Sequence, residues 1–269
     1  MARLVSQKFI TIDGHKIWCK QWGNHGELVV LLHGGLSHTE KWEKEILPAV
    51  EKTHQPFAYD RTAHGRTKIR DGFMHFDFQV DEFIAYVEKV IKQPVHVIGW
   101  SDGGNIGLIA AIKRPDLIKS LVGIGMNYTY KSGISFDLNN ATASEEEKLA
   151  FAKLSKQDPE LLLTIIKKAF KVWASEPKLK LKQLKKIQCP VLVLAGDDEP
   201  FTSKLTTDMY EAIPNGRLAI IPGASHAVVK EKTKLMQAVI KDFYKSLDFP
   251  ITRMPKRRKK RQAAILGNS

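Results

Sequence analysis

The stretch VHVIGWSDGGNIGLIAAIKR, residues 95–114, constrains the fold of this chain more than any other. A continuously apolar run leads into Gly99-Trp100-Ser101-Asp102-Gly103 and then into apolar residues at helical spacing, which predicts a strand turning abruptly into a helix. Such a turn forces its central residue into a strained backbone conformation, and only glycines two positions to either side leave room for it. Ser101 is then held out at the end of a sheet, beside a helix N-terminus whose free N–H groups favour developing negative charge. Composition alone would give a bare G-x-S-x-G in about one chain of this length in ten, so the strand-turn-helix setting carries the argument.

The rest of the chain repeats that alternation. Apolar runs bounded by Gly, Pro or Asp occur at FITID, KIWCKQW, LVVLLHG, PFAYD, VHVIGW, SLVGIG, VLVLAG and RLAIIPG. Between the later ones, residues 39–50, 76–92, 102–114, 203–213 and 229–247 have helical period. Continuously apolar strands separated by helices predict a largely parallel sheet covered on both faces, opened by an antiparallel hairpin from the first two runs. The alternation lapses after GIGMN, and residues 127–188 read as a polar loop and then helices, with Ser144 and Asp158 as N-caps. An all-helical insertion at this point is expected to form a lid over the C-terminal ends of the strands, a helical hairpin that only extends the core being the alternative. The expected layout is therefore an α/β core in two parts, 1–126 and 189–250, a helical lid at 127–188, and a basic tail at 251–269.

A serine hydroxyl is barely acidic, so as a nucleophile it needs a histidine base, and the histidine needs a carboxylate to fix its tautomer. Both are available on loops after late strands, in the order serine, acid, histidine: Asp197-Asp198-Glu199 follows VLVLAG, and His226 follows RLAIIPG in a PGASH turn. The third requirement is a pair of N–H groups for the oxyanion. His33-Gly34-Gly35 ends an early strand, so Gly35 and Asp102 are expected to donate them, with His33 bracing the loop. Asp102 also puts a carboxylate beside the acyl site, where it would favour a cationic acyl group, or it caps the helix.

The set LLHGG, YDRTAHGRT, GWSDGG, AGDDE and PGASH resembles the α/β-hydrolase superfamily over residues 8–247. GWSDGG is similar to the nucleophile motif of the valacyclovir hydrolase (biphenyl hydrolase-like) group, which cleaves esters of α-amino acids. The resemblance implies an α/β-hydrolase fold with a helical lid, a triad of Ser101, Glu199 and His226, and Asp102 holding the substrate's ammonium. Counting from Gly196, the superfamily's usual aspartate falls on Glu199, with Asp198 as the substitute if the loop shifts by one. The usual arginine-glycine pair is replaced in Arg61-Thr62-Ala63, and Asp60, Arg61, His64 and Gly65 are read as supports of the adjacent loops.

The reading is a serine hydrolase acting on a carboxylic ester of a small molecule through an acyl-enzyme, without metal or organic cofactor. An α-amino acid ester is among the candidates. Thioester or lactone hydrolysis and peroxyacid formation would use the same residues, and a non-catalytic binding protein on this fold is the alternative of another class. Cys19 and Cys189 have no CxxC partner and read as reduced, structural residues, and neither a secretory leader nor a membrane span is expected, so the default setting is cytoplasmic. The net charge of +13 includes KRRKKR at 256–261. Six adjacent like charges could meet nucleic acid, anionic lipid or an import receptor, but with no apolar period the tail reads as a disordered, solvated appendage. The lysines at 167, 168, 171, 178, 180, 182, 185 and 186 read as a solvated helix face.

Overall fold

All eight apolar runs are strands of one sheet in the computed structural model, which describes residues 3–131, 134 and 137–267. They are β1 (Leu4–Ile12), β2 (His15–Trp22), β3 (Glu27–Leu32), β4 (His54–Tyr59), β5 (Val95–Trp100), β6 (Ile118–Ile124), β7 (Val191–Asp198) and β8 (Gly216–Ser225). β1 and β2 form the expected hairpin. Its turn residues, Asp13 and Gly14, both have positive φ (48° and 76°), the requirement of a tight two-residue connection that an Asp-Gly pair satisfies. β2 runs antiparallel to β4, and from β4 onward all neighbours are parallel, in the order β1-β2-β4-β3-β5-β6-β7-β8.

The helices are α1 (Thr39–Val50), α2 (Phe76–Tyr86), α3 (Asp102–Lys113), α4 (Glu145–Ser155), α5 (Leu161–Trp173), α6 (Leu181–Leu184), α7 (Ser203–Ala212), α8 (Val228–Glu231), α9 (Thr233–Lys245) and α10 (Lys259–Gly267). The period-2 pattern of the buried strands divides the core. Val30 and Leu32 of β3, with Val97 and Val193, pack with α2, α3 and α7 on one face, while Val29, Leu31, Ile98 and Leu194 pack with α1 and α9 on the other.

Two helix predictions are corrected in detail. Residues 229–247 do not form one helix: the chain breaks at Lys232, where the Thr233 hydroxyl donates back to the carbonyls of Val229 (2.8 Å) and Lys230 (3.1 Å). Ser144 caps α4 in a reciprocal capping box with Glu147, but α5 starts two residues past the predicted position, and the Asp158 carboxylate instead accepts the Glu160 N–H at 2.9 Å.

Between β6 and β7 the described residues include α4, α5 and α6. The base of this insertion is drawn together by an antiparallel bridge between Thr129 and Lys178, with the Tyr130 N–H donating to the Pro177 carbonyl at 2.8 Å.

The tail departs from its expectation. Rather than lacking structure, its described residues include α10 and are held to the body by its own arginines. Arg257 donates to the carbonyls of Tyr210 (2.5 Å) and Ile213 (2.6 Å), and its guanidinium lies 4.2 Å from the Tyr210 ring. Those carbonyls end α7, where helical acceptors lack intrahelical donors and a cation is favoured. Arg258 donates to the Gly216 carbonyl at 3.1 Å, and the buried Gln262 side chain pairs with both the N–H and the carbonyl of Thr252.

Candidate active site

β3 sends the chain to β4 on one side, and the chain later returns to β5 on the other. The connections therefore diverge between β3 and β5, and such a switch point leaves a crevice beyond the strands' C-terminal ends. The loop at Gly34-Gly35 and the turn at Ser101 both open there.

Ser101 has φ 55° and ψ −121°, a conformation of considerable steric cost for a residue with a side chain. A Cβ on Gly99 would stand 2.2 Å from the Gly103 carbonyl oxygen, and one on Gly103 would stand 2.0 Å from that of Leu32. Both obstacles are backbone, so neither can rotate away. Gly103→Ala is accordingly expected to destabilise the fold by about 3 kcal/mol, read as a lowered midpoint in urea unfolding. Gly107→Ala, whose Cβ would meet the flexible Leu121 side chain at 2.6 Å, should cost less.

Ser101, His226 and Glu199 lie on one hydrogen-bonded line. His226 Nε2 is 2.9 Å from Ser101 Oγ, and Nδ1 is 2.6 Å from Glu199 Oε2. Glu199 has only 4 % of its side chain exposed, and its other oxygen accepts the Gly196 N–H at 3.1 Å. Asp198 is exposed at the end of β7, where it pairs in register with Ser225, and Asp197 braces the neighbouring loop by accepting the Ala224 N–H at 3.1 Å. Of the three acids, only Glu199 meets His226.

Two residues that the sequence did not single out complete this line. Trp100 Nε1 donates to the His226 carbonyl at 3.0 Å. Gly125, at φ 57°, passes so close to the pair that a Cβ there would stand 2.9 Å from His226 Nδ1.

Gly35 lies on the far side of the serine. A Cβ there would be 2.4 Å from the Trp173 ring and 2.5 Å from Asp102 Oδ2, so any side chain at this position would displace one or both. The Asp102 N–H is in the first turn of α3, where backbone donors have no intrahelical acceptor. His33 is fully buried, and burial next to Arg61 holds its imidazole well below the usual range, hence neutral. It donates from Nδ1 to the Gly34 carbonyl (2.8 Å) and accepts the Arg61 N–H at Nε2 (3.2 Å).

The segment 60–65 lies beneath this loop. Asp60 accepts the N–H groups of Thr39 and Arg66, both at 2.9 Å, and Gly65 passes too close to it for any Cβ. Arg61 is fully buried and donates to the carbonyls of His33 (3.0 Å) and Gly34 (2.8 Å). Thr62, in the stretch that replaces the usual arginine-glycine pair, hydrogen-bonds the buried Glu82, and Arg70 brings a cation to the same carboxylate at 3.3 Å. The fully buried His64 packs its ring 5.0 Å from that of His33.

Asp102 carries its carboxylate into the crevice, buried, where Trp173 of α5 donates to both oxygens (3.0 and 3.2 Å). Burial pushes this carboxyl above its ordinary range, against the opposing pull of Arg61 and of the Trp173 hydrogen bond. Ser101, His226 and Asp102 face a pocket of about 260 Å³ whose walls are largely apolar, and the helical insertion contributes Ile134, Trp173 and Glu176 to it. The eight lysines between 167 and 186 are exposed and none lines this pocket. Among the described residues no group of three or more His, Cys, Asp or Glu side chains could hold a metal ion, and Cys19 and Cys189 are free thiols pushed up by burial.

The family described as alpha/beta hydrolase fold matches residues 27–148. The chain is 24% identical over 229 residues to (E)-2-((N-methylformamido)methylene)succinate hydrolase of Acinetobacter baylyi, an alignment covering 76% of this chain and 84% of that one. It is 21% identical to the human serine hydrolase BPHL, over 82% of this chain and 80% of that one. Among solved structures, MGS-M2, an alpha/beta hydrolase from a Medee basin deep-sea metagenome library, superposes with a TM-score of 0.74 at 19% identity, covering 92% of this chain and all of that one. The parallel sheet, its switch point, the turn at Ser101 and these likenesses show that the chain has the α/β-hydrolase fold.

Proposed function

We propose that this protein is a serine hydrolase that cleaves a carboxylic ester through an acyl-enzyme, and that the acyl group carries an α-ammonium held by Asp102. The observation that carries the first part is the unbroken line Glu199–His226–Ser101, opening on a pocket beside Gly35 and the N-terminus of α3. In this reading Ser101 attacks the ester carbonyl while His226 takes its proton at Nε2. Glu199 keeps the other ring proton on Nδ1 and stabilises the imidazolium. The N–H groups of Gly35 and Asp102 receive the oxyanion, His226 returns the proton to the leaving alcohol, and a water activated by His226 then frees the acyl group. The insertion 127–188 acts as the lid, since Trp173 and Glu176 wall the pocket from that side.

The specificity reading rests on Asp102. Its carboxylate is buried at the acyl site, where among the described residues the Trp173 indole N–H is the donor to its two oxygens, and burial disfavours its charge. An ammonium in the pocket would favour the ionised form and be favoured by it. The test compares nitrophenyl esters of one amino acid with the α-amino group free or acetylated. Wild type should prefer the free amine, and Asp102→Asn should lose about 10- to 100-fold of that preference while still turning over the acetylated ester. Equal preference in the two proteins would make Asp102 a helix-start residue with no part in substrate choice, and a wild type indifferent to the amino group would be a general esterase.

A further inference from the structure

The C-terminal segment has a surface unlike the rest of the chain. From Ile251 to Leu266 there are seven lysines and arginines and no acid. The structure divides these cations into two sets. Arg257 and Arg258 are committed to backbone carbonyls, and Arg261 lies 4.7 Å from the Phe249 ring, so these three fasten the segment to the body. Arg253, Lys256, Lys259 and Lys260 remain exposed.

Large apolar side chains stand exposed among them. Met254 is 94 % exposed, and Ile251, Ile265 and Leu266 are between 42 % and 54 % exposed. Gln262 pairs with Thr252, and residues three and four positions beyond it share its side of the helix. Ile265 and Leu266 follow Gln262 by three and four residues in α10, and Ile251 and Met254 lie within two residues of its partner Thr252, so the exposed apolar side chains belong to the same cationic segment. Lys185 and Lys186, both exposed, precede β7 at the end of the sheet where Arg258 meets Gly216, and so extend the same basic end.

We infer that this end of the molecule docks on an anionic membrane surface, the lysines meeting lipid headgroups and Met254, Ile251 and Ile265 entering the acyl boundary. A solvated charged face has no use for a methionine held almost wholly in water, and scattered exposed apolar residues do not ordinarily collect within one cationic segment. Nucleic acid would be met by cations with stacking rings, but the segment has no aromatic residue, and the neighbouring Phe249 ring is covered by Arg261. No helix among the described residues is long and apolar enough to cross a membrane, so the attachment is peripheral and reversible. The Ser101 pocket opens at the C-terminal ends of the strands, whereas Arg258 and Gly216 lie at the opposite end of β8, so a docked molecule keeps its pocket toward solution.

The test is co-sedimentation of the full chain with vesicles of phosphatidylcholine alone or containing about 30% phosphatidylglycerol, at low and high salt. Binding to the anionic vesicles only, reversed by salt, is expected. Lys259→Gln with Lys260→Gln should weaken it about 30-fold, at about five-fold per surface charge, and Met254→Asp about ten-fold. Thermal unfolding of each variant at the wild-type midpoint separates this loss from misfolding. Absence of binding, or equal binding to neutral vesicles, would overturn the inference. It would also fall if Met254→Asp bound anionic vesicles as well as wild type while a DNA duplex competed the protein off, which would assign the face to nucleic acid. Self-association abolished by Met254→Asp, without vesicle binding, would assign it to a second copy of the chain.

Discussion

Ser101→Ala is expected to lower kcat for any ester substrate by about 10⁵- to 10⁶-fold and to leave substrate binding nearly unchanged. The side chain lost is small, but among the described residues Ser101 supplies the one hydroxyl hydrogen-bonded to His226 Nε2. Ser101 Oγ is 2.9 Å from His226 Nε2, at the apex of a turn that the glycines at 99 and 103 allow. The residual rate should come from the Gly35 and Asp102 N–H groups and from binding alone. Steady-state and single-turnover kinetics on the same ester check this, because a nucleophile's removal abolishes the burst as well as the turnover. A variant that kept more than about a hundredth of wild-type kcat would show that Ser101 is not the nucleophile.

The second large effect separates two neighbouring acids. Glu199→Gln should reduce kcat about 10⁴-fold, whereas Asp198→Asn should stay within about three-fold of wild type. The structure gives the reason in hydrogen-bond polarity. One Glu199 oxygen accepts the Gly196 N–H at 3.1 Å and the other accepts from His226 Nδ1 at 2.6 Å. A glutamine has one acceptor and one donor. The fixed Gly196 donor claims the amide oxygen, which turns the NH₂ group toward His226 and forces the ring proton onto Nε2. That tautomer cannot accept the Ser101 proton. Asp198, exposed and away from the imidazole, has no comparable hold on it. A large loss in Asp198→Asn with a mild one in Glu199→Gln would reverse the assignment.

The sheet was legible because its strands are buried on both faces, which writes them as continuous apolar runs, and because the turn at Ser101 has a steric requirement that only glycines at 99 and 103 satisfy. The positions of Glu199 and His226 followed from chain order, since loops after successive parallel strands must gather at one end. The choice of Glu199 over Asp198 needed the fold, because it turns on where the buckled end of β7 points.

Trp173 was illegible for a related reason. It lies 71 residues from Asp102 on a helix whose docking no local pattern encodes. Gly125 carried a faint signal, a glycine just past a strand end, which is where the chain must turn left-handed beneath His226. Arg61 was legible as a support of the adjacent loops, within a stretch that departs from the resemblance. Its role under the carbonyls of His33 and Gly34 depends on contacts between separate loops. The tail was misread because a run of like charges ordinarily repels itself into solvent. Arg257 instead meets the acceptor-rich end of α7, which no single-sequence pattern connects to it.

The measurement that bears most directly on the account is the mass of the protein caught during turnover. Mixing with a nitrophenyl ester, quenching in acid within the first turnover and locating the adduct by peptide mass should give one acyl group per chain, on Ser101. No such adduct should form in Ser101→Ala. An adduct on another residue, or hydrolysis that proceeds at wild-type rate with Ser101 never acylated, would contradict the mechanism.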